Sequence, residues 1–285
     1  MNYLVVTPLK NEEKDLPGLI ESMASQSILP LMWIIMDDGS TDKSPMILLE
    51  AVKKYKWIRT IRMKESPRDL SKHVAGVIKK GYDIATGVCR ENNIEFEFIG
   101  FLDADIKIED TDLFKKFIIE FERDSRLGIA GGNLYDESRR IDTISGGAIM
   151  CRREFFEQIN GFPAFPGWDS ILRVKAILNG WGVRTFKDIR LIQTRATGTA
   201  EGVKRGFYIK GTIDYYLGYN PLLVAGKGLK YCIEKSNYIG LIYLYGYYTD
   251  LILRKVQIDD KQIRNYYHNY KFKEILKYYI KNLRK

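Results

Sequence analysis

The sequence predicts an α/β protein: a Rossmann-like, mixed and mostly parallel sheet with helices on both faces over residues 1–199, then a mainly helical region over residues 200–285. Two observations carry this. Apolar runs of strand length alternate with stretches of helical spacing, the pattern of a sheet whose strands are covered on both faces. Charge and tyrosine are also partitioned: residues 1–200 hold 29 basic and 29 acidic side chains, whereas residues 201–285 hold 16 basic and 7 acidic ones and 15 of the 19 tyrosines. The net charge of +9 therefore sits wholly in the tail, and the shift sets a boundary near residue 199.

Residues 3–9 make a short β-branched run, after which Leu16, Leu19, Ile20 and Met23 recur at helical spacing. Trp33, Ile34, Ile35 and Met36 make a wholly apolar strand that stops at Asp37-Asp38-Gly39-Ser40-Thr41-Asp42, with a helix expected over residues 45–55. The pattern repeats through a strand at 60–63, a helix at 71–86 and an apolar run at 96–102. That run stops at Asp103-Ala104-Asp105, before a helix at 111–123. Open α/β sheets bind ligands beyond the carboxyl ends of their strands, and both acidic clusters fall at that edge.

A chain of 285 residues with 45% hydrophobic and 28% charged residues is long enough to bury a sizeable core and carries no disordered or collagen-like bias. Cys89, Cys151 and Cys232 are odd in number and far apart, which offers neither a disulfide framework nor a zinc spacing. No basic leader followed by an apolar stretch opens the sequence, so a cytoplasmic location is expected. The apolar stretch at 238–253 is short for a span of roughly 20 residues and contains Gly240, Gly246 and Asp250, so it reads as a buried or interfacial helix.

Carboxylates alone repel an anionic nucleotide diphosphate unless a divalent cation sits between them and inverts the local electrostatics. Asp103 and Asp105 suit that bridge: spaced by one small residue after an apolar strand, one carboxylate can meet a ribose hydroxyl and the other a hard metal ion. Ala104 leaves room for the ligand to approach.

Over roughly residues 3–195, the sequence resembles the family 2 glycosyltransferases of the GT-A fold. Thr7-Pro8-Leu9-Lys10-Asn11-Glu12-Glu13 is similar to the family's opening, which borders the nucleotide. Asp37-Asp38-Gly39-Ser40-Thr41-Asp42 resembles its second motif, whose aspartates contact base and ribose. Asp103-Ala104-Asp105 matches the metal- and nucleotide-binding triplet, with Asp105 the direct ligand of Mg2+ or Mn2+. Gly146-Gly147-Ala148, before Arg152-Arg153-Glu154-Phe155-Phe156 and Asn160-Gly161-Phe162, resembles the small-residue strand and following helix that line the sugar and acceptor pocket. Gly167-Trp168-Asp169-Ser170-Ile171-Leu172-Arg173 is similar to the segment that carries the catalytic base.

The resemblance implies an inverting displacement in which Asp169 takes the proton of an acceptor hydroxyl while the metal stabilises the departing diphosphate. From the residues alone, Asp169 also reads as the N-cap of a helix over 171–178, and the two roles are compatible. Three positions depart from the family pattern. Trp168 stands where a glutamate usually precedes the base, Gln193 stands near the place of a histidine that precedes an arginine, and Ser71-Lys72-His73 lacks a frequent asparagine. Arg195 is expected either to hold the diphosphate through its fork of donors or to lie exposed at a domain edge, and His73 reads as part of a polar helix face.

In the tail, Leu241, Tyr245, Tyr248 and Ile252 recur as an amphipathic face would. Tyrosines interleaved with lysine and arginine suit peripheral contact with an anionic membrane through residues 200–285, or else pack a helical cap whose lysines are merely solvated. The expected partners are a nucleotide-diphospho-sugar donor and a lipid-linked or glycan acceptor, with loops at 65–70 and 133–143 choosing between substrates. A nucleotidyltransferase that makes an activated sugar would usually open with a Gly-rich, basic phosphate loop, which residues 8–13 lack. A nucleic-acid-binding module would suit the basic, aromatic tail, but no such motif is present and the acidic strand ends oppose it, so no nucleic acid is expected.

Overall fold

The computed structural model describes residues 1–64, 72–136, 139–141, 147–194, 202–235 and 237–275. The chain divides into two compact units, Met1–Thr197 and Gly198–Lys285.

In the first unit the expected alternation is present: β1 (Tyr3–Leu9), α1 (Leu16–Ala24), β2 (Met32–Asp37), α2 (Ser44–Lys54), β3 (Ile58–Arg62), α3 (Lys72–Glu91) and β4 (Phe98–Leu102). β5 (Ile106–Ile108), α4 (Leu113–Arg123), β6 (Leu127–Asp136), β7 (Arg139–Ile141), β8 (Ala148–Arg152), α5 (Arg153–Gln158), α6 (Trp168–Leu178) and β9 (Gly182–Gln193) complete it. The strands form one sheet in the order β3-β2-β1-β4-β8-β6-β9-β5, with β7 hydrogen-bonded to β6. Pairing is parallel through β3, β2, β1 and β4 and between β6 and β9, and antiparallel where β8 meets its neighbours and where β5 meets β9.

Both faces of the sheet are covered, which is why its central strands are apolar throughout. Tyr3, Val5, Trp33 and Ile35 pack with Leu16, Leu19 and Met23 of α1, Leu48 of α2 and Phe114, Phe117 and Phe121 of α4. Leu4, Val6, Ile34 and Met36 point the other way, into a core shared with Val77 and Ile78 of α3, Phe155 and Phe156 of α5, and Trp168 and Leu172 of α6. Alternate residues of one strand thus serve opposite layers.

The second unit is helical: α7 (Val203–Tyr216), α8 (Pro221–Glu234), α9 (Asn237–Ile252), α10 (Lys261–Asn265) and a π-helical turn (Tyr266–Tyr270). Asn220 caps α8 by accepting from the Leu222 amide at 3.0 Å, and Asp260 caps α10 by accepting from Gln262 and Ile263. Tyrosines supply much of the core, with Tyr215, Tyr243 and Tyr247 packed around Val224. Their hydroxyls are placed on polar partners, as buried phenols require. Tyr243 donates to Asp214, which Lys227 also holds; Tyr247 donates to the Tyr219 carbonyl and Tyr215 to the Lys255 carbonyl.

Candidate active site

Register alone brings the acidic motifs together. Leu9 lies opposite Asp37 across the parallel β1–β2 pair, and the Asp38 amide continues that ladder to the Leu9 carbonyl at 2.8 Å. On the other side of β1, Val6 lies opposite Phe101 of β4, which carries Asp103 to the level of Pro8. The ends of three adjacent strands therefore deliver the Pro8, Asp38 and Asp103 positions to one sheet edge.

The two loops at β1 and β2 are laced to each other. Ser40 Oγ accepts from the Asn11 amide and Ser44 Oγ from the Glu12 amide, both at 2.9 Å, and Asn11 Oδ1 accepts from the Thr41 amide at 2.8 Å. Asp37 is buried; its Oδ1 accepts from the Ser40 amide at 2.8 Å and its other oxygen lies 3.7 Å from Arg62. Gly39 turns the chain between them at φ +68°, a conformation that side chains with a Cβ resist. Asn11, Glu12, Asp37 and Ser40 thus build the rim that holds Asp38 in place.

Thr7 has a different position from the one expected of a nucleotide contact. It is fully buried and its hydroxyl accepts from the Trp33 indole at 2.8 Å, so its side chain supports the strand end from within the core. The alternation of a doubly covered strand turns Thr7 inward, and half-buried Pro8 is the next position at that edge.

Asp38 meets a residue that sequence patterning left on a polar helix face. His73, in the first turn of α3, brings Nε2 to 2.8 and 2.9 Å from the two oxygens of Asp38. Lys10 Nζ donates to the Asp38 carbonyl at 2.8 Å. A signal for His73 was present in the topology: a helix that follows a parallel strand begins at that strand's carboxyl edge, so its first turn stands at the ligand edge.

Asp103, half-buried, sends its amide to the Gly147 carbonyl at 2.8 Å, which fixes the triplet against the start of β8. Ala104 is buried. Asp105 is 7% exposed, with the Gln193 amide nitrogen at 3.3 and 3.5 Å from its carboxylate and the Thr194 amide at 2.9 Å from its carbonyl. This follows from the antiparallel pairing of Ile106 with Gln193. Among the described residues no group of three or more His, Cys, Asp and Glu could hold a metal by itself. A hard-oxygen pair such as Asp105 with Asp103 nonetheless fits Mg2+ or Mn2+, because these ions are commonly held by one or two carboxylates, with substrate phosphates and water filling the remaining positions.

Asp169 sits in the first turn of α6, whose N-cap is Gly167; the expected capping role therefore falls two residues earlier in the chain. Asp169 Oδ1 accepts from the next amide, Ser170, at 2.8 Å, an arrangement the helix dipole favours for an anion. The Trp168 ring packs against Phe101 and Phe162 at centroid distances of 5.6 and 5.1 Å, tilted by 58° and 41° to them. Phe101 is the penultimate residue of β4, so α6 starts at the sheet edge that carries Asp103. Arg195 and Gly146, with the segments at 65–71 and 142–146, lie outside the described residues.

The mixed, mostly parallel sheet with helices on both faces and carboxylates at its strand ends matches the GT-A fold. Residues 4–143 match the model of glycosyl transferase family 2, which makes the first unit a family 2 glycosyltransferase domain. No curated protein matches the chain by sequence. Among solved structures, a mannosyltransferase from Pyrobaculum calidifontis in complex with GDP-Man and Mn2+ superposes with a TM-score of 0.57 at 13% identity, over 88% of this chain and 75% of that one. S. aureus TarS 1–349 in complex with UDP-GlcNAc gives 0.55 at 16% identity, over 93% and 78%. A mycobacterial protein gives 0.54 at 14% identity, over 75% and 74%.

Proposed function

We propose that the protein is an inverting, metal-dependent transferase that moves a sugar from a nucleotide-diphospho-sugar to the hydroxyl of a lipid-linked or glycan acceptor. What supports this reading is that the strand ends leading to Asp38, Asp103 and Asp105 lie side by side at one sheet edge, and that Trp168, next to Asp169, packs against Phe101 of the same β4. The likeness to folds solved with GDP-Man and Mn2+, and with UDP-GlcNAc, agrees with it.

In this reading Asp38, held by His73, faces the nucleoside, and Asp103 the ribose. Asp105 and Asp103 would hold the divalent ion, which when bound supplies positive charge beside the diphosphate. Asp169 orients the acceptor hydroxyl and accepts its proton on a carboxylate oxygen as the acceptor oxygen bonds to the anomeric carbon. The bond from that carbon to the diphosphate oxygen breaks with its electron pair leaving on the diphosphate. A single displacement of this kind inverts the anomeric configuration. Trp168, buried against Phe101 and Phe162, anchors the first turn of α6 that carries Asp169.

Residues 200–285 would hold the enzyme against an anionic membrane at the cytoplasmic face, where a lipid-linked acceptor is presented. Asp169→Asn tests the chemistry: turnover should fall by roughly 100-fold to 10,000-fold while nucleotide-sugar affinity stays as in the parent. Full turnover by the variant would remove the base from the scheme.

A further inference from the structure

The helical unit turns an apolar face to solvent. On α8, Leu222, Leu229 and Ile233 share one side of the helix by their spacing and are exposed, Ile233 at 80%, while Leu223, Val224 and Gly228 are buried. On α9, Leu241, Tyr245 and Ile252 share a side in the same way and are exposed, Ile252 at 77%; Ile239, Tyr243 and Tyr247 are the buried ones. The apolar row that sequence patterning marks on this helix is therefore the outward one, apart from half-buried Tyr248.

The two rows form one face. α8 and α9 pack at backbone distance, since a Cβ on Gly240 would lie 2.4 Å from the Gly228 carbonyl oxygen, and a Cβ on Gly228 would strike Leu244. These neighbours, 228 with 244 and 240 with 228 and 232, rise in one helix as they fall in the other, so the pair is antiparallel. At roughly 100° per residue, each row lies about a third of a turn from the helix contact, in the same rotational sense. In an antiparallel pair that rotation puts both rows on the same side.

The charge around this face has one sign in excess. Asp214 and Asp250 are buried and held by Lys227 and Lys255, and Glu234 lies 3.6 Å from Lys230. Lys204, Lys235 and Arg254 are exposed, and Lys204 Nζ stands 5.7 Å over the Tyr238 ring at the edge of the α9 row. A contiguous aliphatic surface with a basic margin is the pattern of a helix pair that lies in the headgroup region of a bilayer. It does not suit self-association across a twofold axis, which would bring the two basic margins together. No helix among the described residues is long and apolar enough to cross a membrane, so the face lies on the bilayer rather than through it.

We propose that the α8–α9 face is the membrane-docking surface of this protein, seating Leu222, Leu229, Ile233, Leu241 and Ile252 against the acyl chains of an anionic phospholipid bilayer. This gives a specific surface to the membrane contact read above and does not involve the catalytic carboxylates.

The test is co-sedimentation of the full chain with phosphatidylcholine vesicles, with and without phosphatidylglycerol, for the parent and for Ile233→Glu and Leu241→Glu. Both side chains are exposed, so melting temperature and metal-dependent hydrolysis of nucleotide sugar serve as controls for folding. The parent should bind the anionic vesicles, more weakly as salt rises, and each substitution should lower partitioning by about tenfold or more. The proposal is overturned if the parent ignores anionic vesicles at low salt, or if both variants bind as well as the parent. It is equally overturned if the substitutions split a dimer while vesicle binding is absent throughout. Loss of hydrolysis in the parent would count against the catalytic reading alone, because the vesicle assay reads binding without it.

Discussion

His73 holds Asp38: one imidazole nitrogen lies within 2.9 Å of both carboxylate oxygens at the carboxyl edge of β2. A hydrogen bond to a charged group contributes about 1.5–3 kcal/mol, and here it fixes the orientation of a carboxylate that would meet the nucleoside. His73→Ala should therefore raise the KM for the donor by about tenfold or more, with a smaller change in kcat. His73→Gln, whose amide nitrogen can reach the place of Nε2, should recover part of the loss. Equal loss in kcat and KM for both variants would mean that the histidine serves the fold and not donor binding.

Gly39 tests the loop that carries Asp38. Its φ of +68° lies in the left-handed region, where a Cβ costs about 1–2 kcal/mol. Gly39→Ala should lower the unfolding free energy by that amount, seen as a lower urea midpoint with an unchanged slope. It should also weaken nucleotide diphosphate binding, because the lacing of Asn11 and Ser40 surrounds the same turn. A variant with normal affinity and reduced stability would separate the loop's conformation from the ligand edge.

Asp105 and Asp103 make a graded pair. Asp105 is buried beside Gln193, whereas Asp103 is half-buried, so Asp105→Asn should remove metal-stimulated donor binding and lower turnover by at least about 100-fold. Asp103→Asn should lower affinity less. Calorimetric titration of nucleotide diphosphate with and without Mn2+ reads the difference directly. Metal-stimulated binding that survives in Asp105→Asn would move the ion to other ligands.

The sequence exposes one half of this site more clearly than the other. β1, β2 and β4 are almost wholly apolar up to their ends, so those ends, and the aspartates at 37, 38, 103 and 105, can be located before any coordinates. The strands beyond β4 are harder to see. β6 contains Gly128, Gly131 and Gly132, which weaken any strand signal, and they are needed there: a Cβ on Gly132 would meet Leu191 of β9 at 2.6 Å. β9 mixes charged and apolar residues, and its pairing with β5 is what brings Gln193 to Asp105. His73 is invisible to periodicity because its role depends on where α3 begins. The α9 row is legible as a stripe, but which way it faces depends on the glycines that bring α8 and α9 together.

Tyr82 gives the first unit a measurable alkaline limit. Its ring, on α3, packs against Phe156 and Phe162 at 5.2 and 6.4 Å. Burial, reinforced by the Asp83 and Glu157 carboxylates, disfavours the phenolate and pushes the phenol up to about 12. The folded state thus holds this proton more tightly than the unfolded chain, whose tyrosines ionise near about 10. The resulting stability is complete below about pH 10 and is lost as pH rises through about 12. Tyr82→Phe removes that titration, so its denaturation midpoint should fall less steeply than the parent's above about pH 10. The ultraviolet titration of the folded protein should lose one late-ionising phenol at the same time. Parallel stability profiles for parent and variant would mean that Tyr82 ionises at its ordinary value and that its contact with Phe156 leaves the phenol open to water.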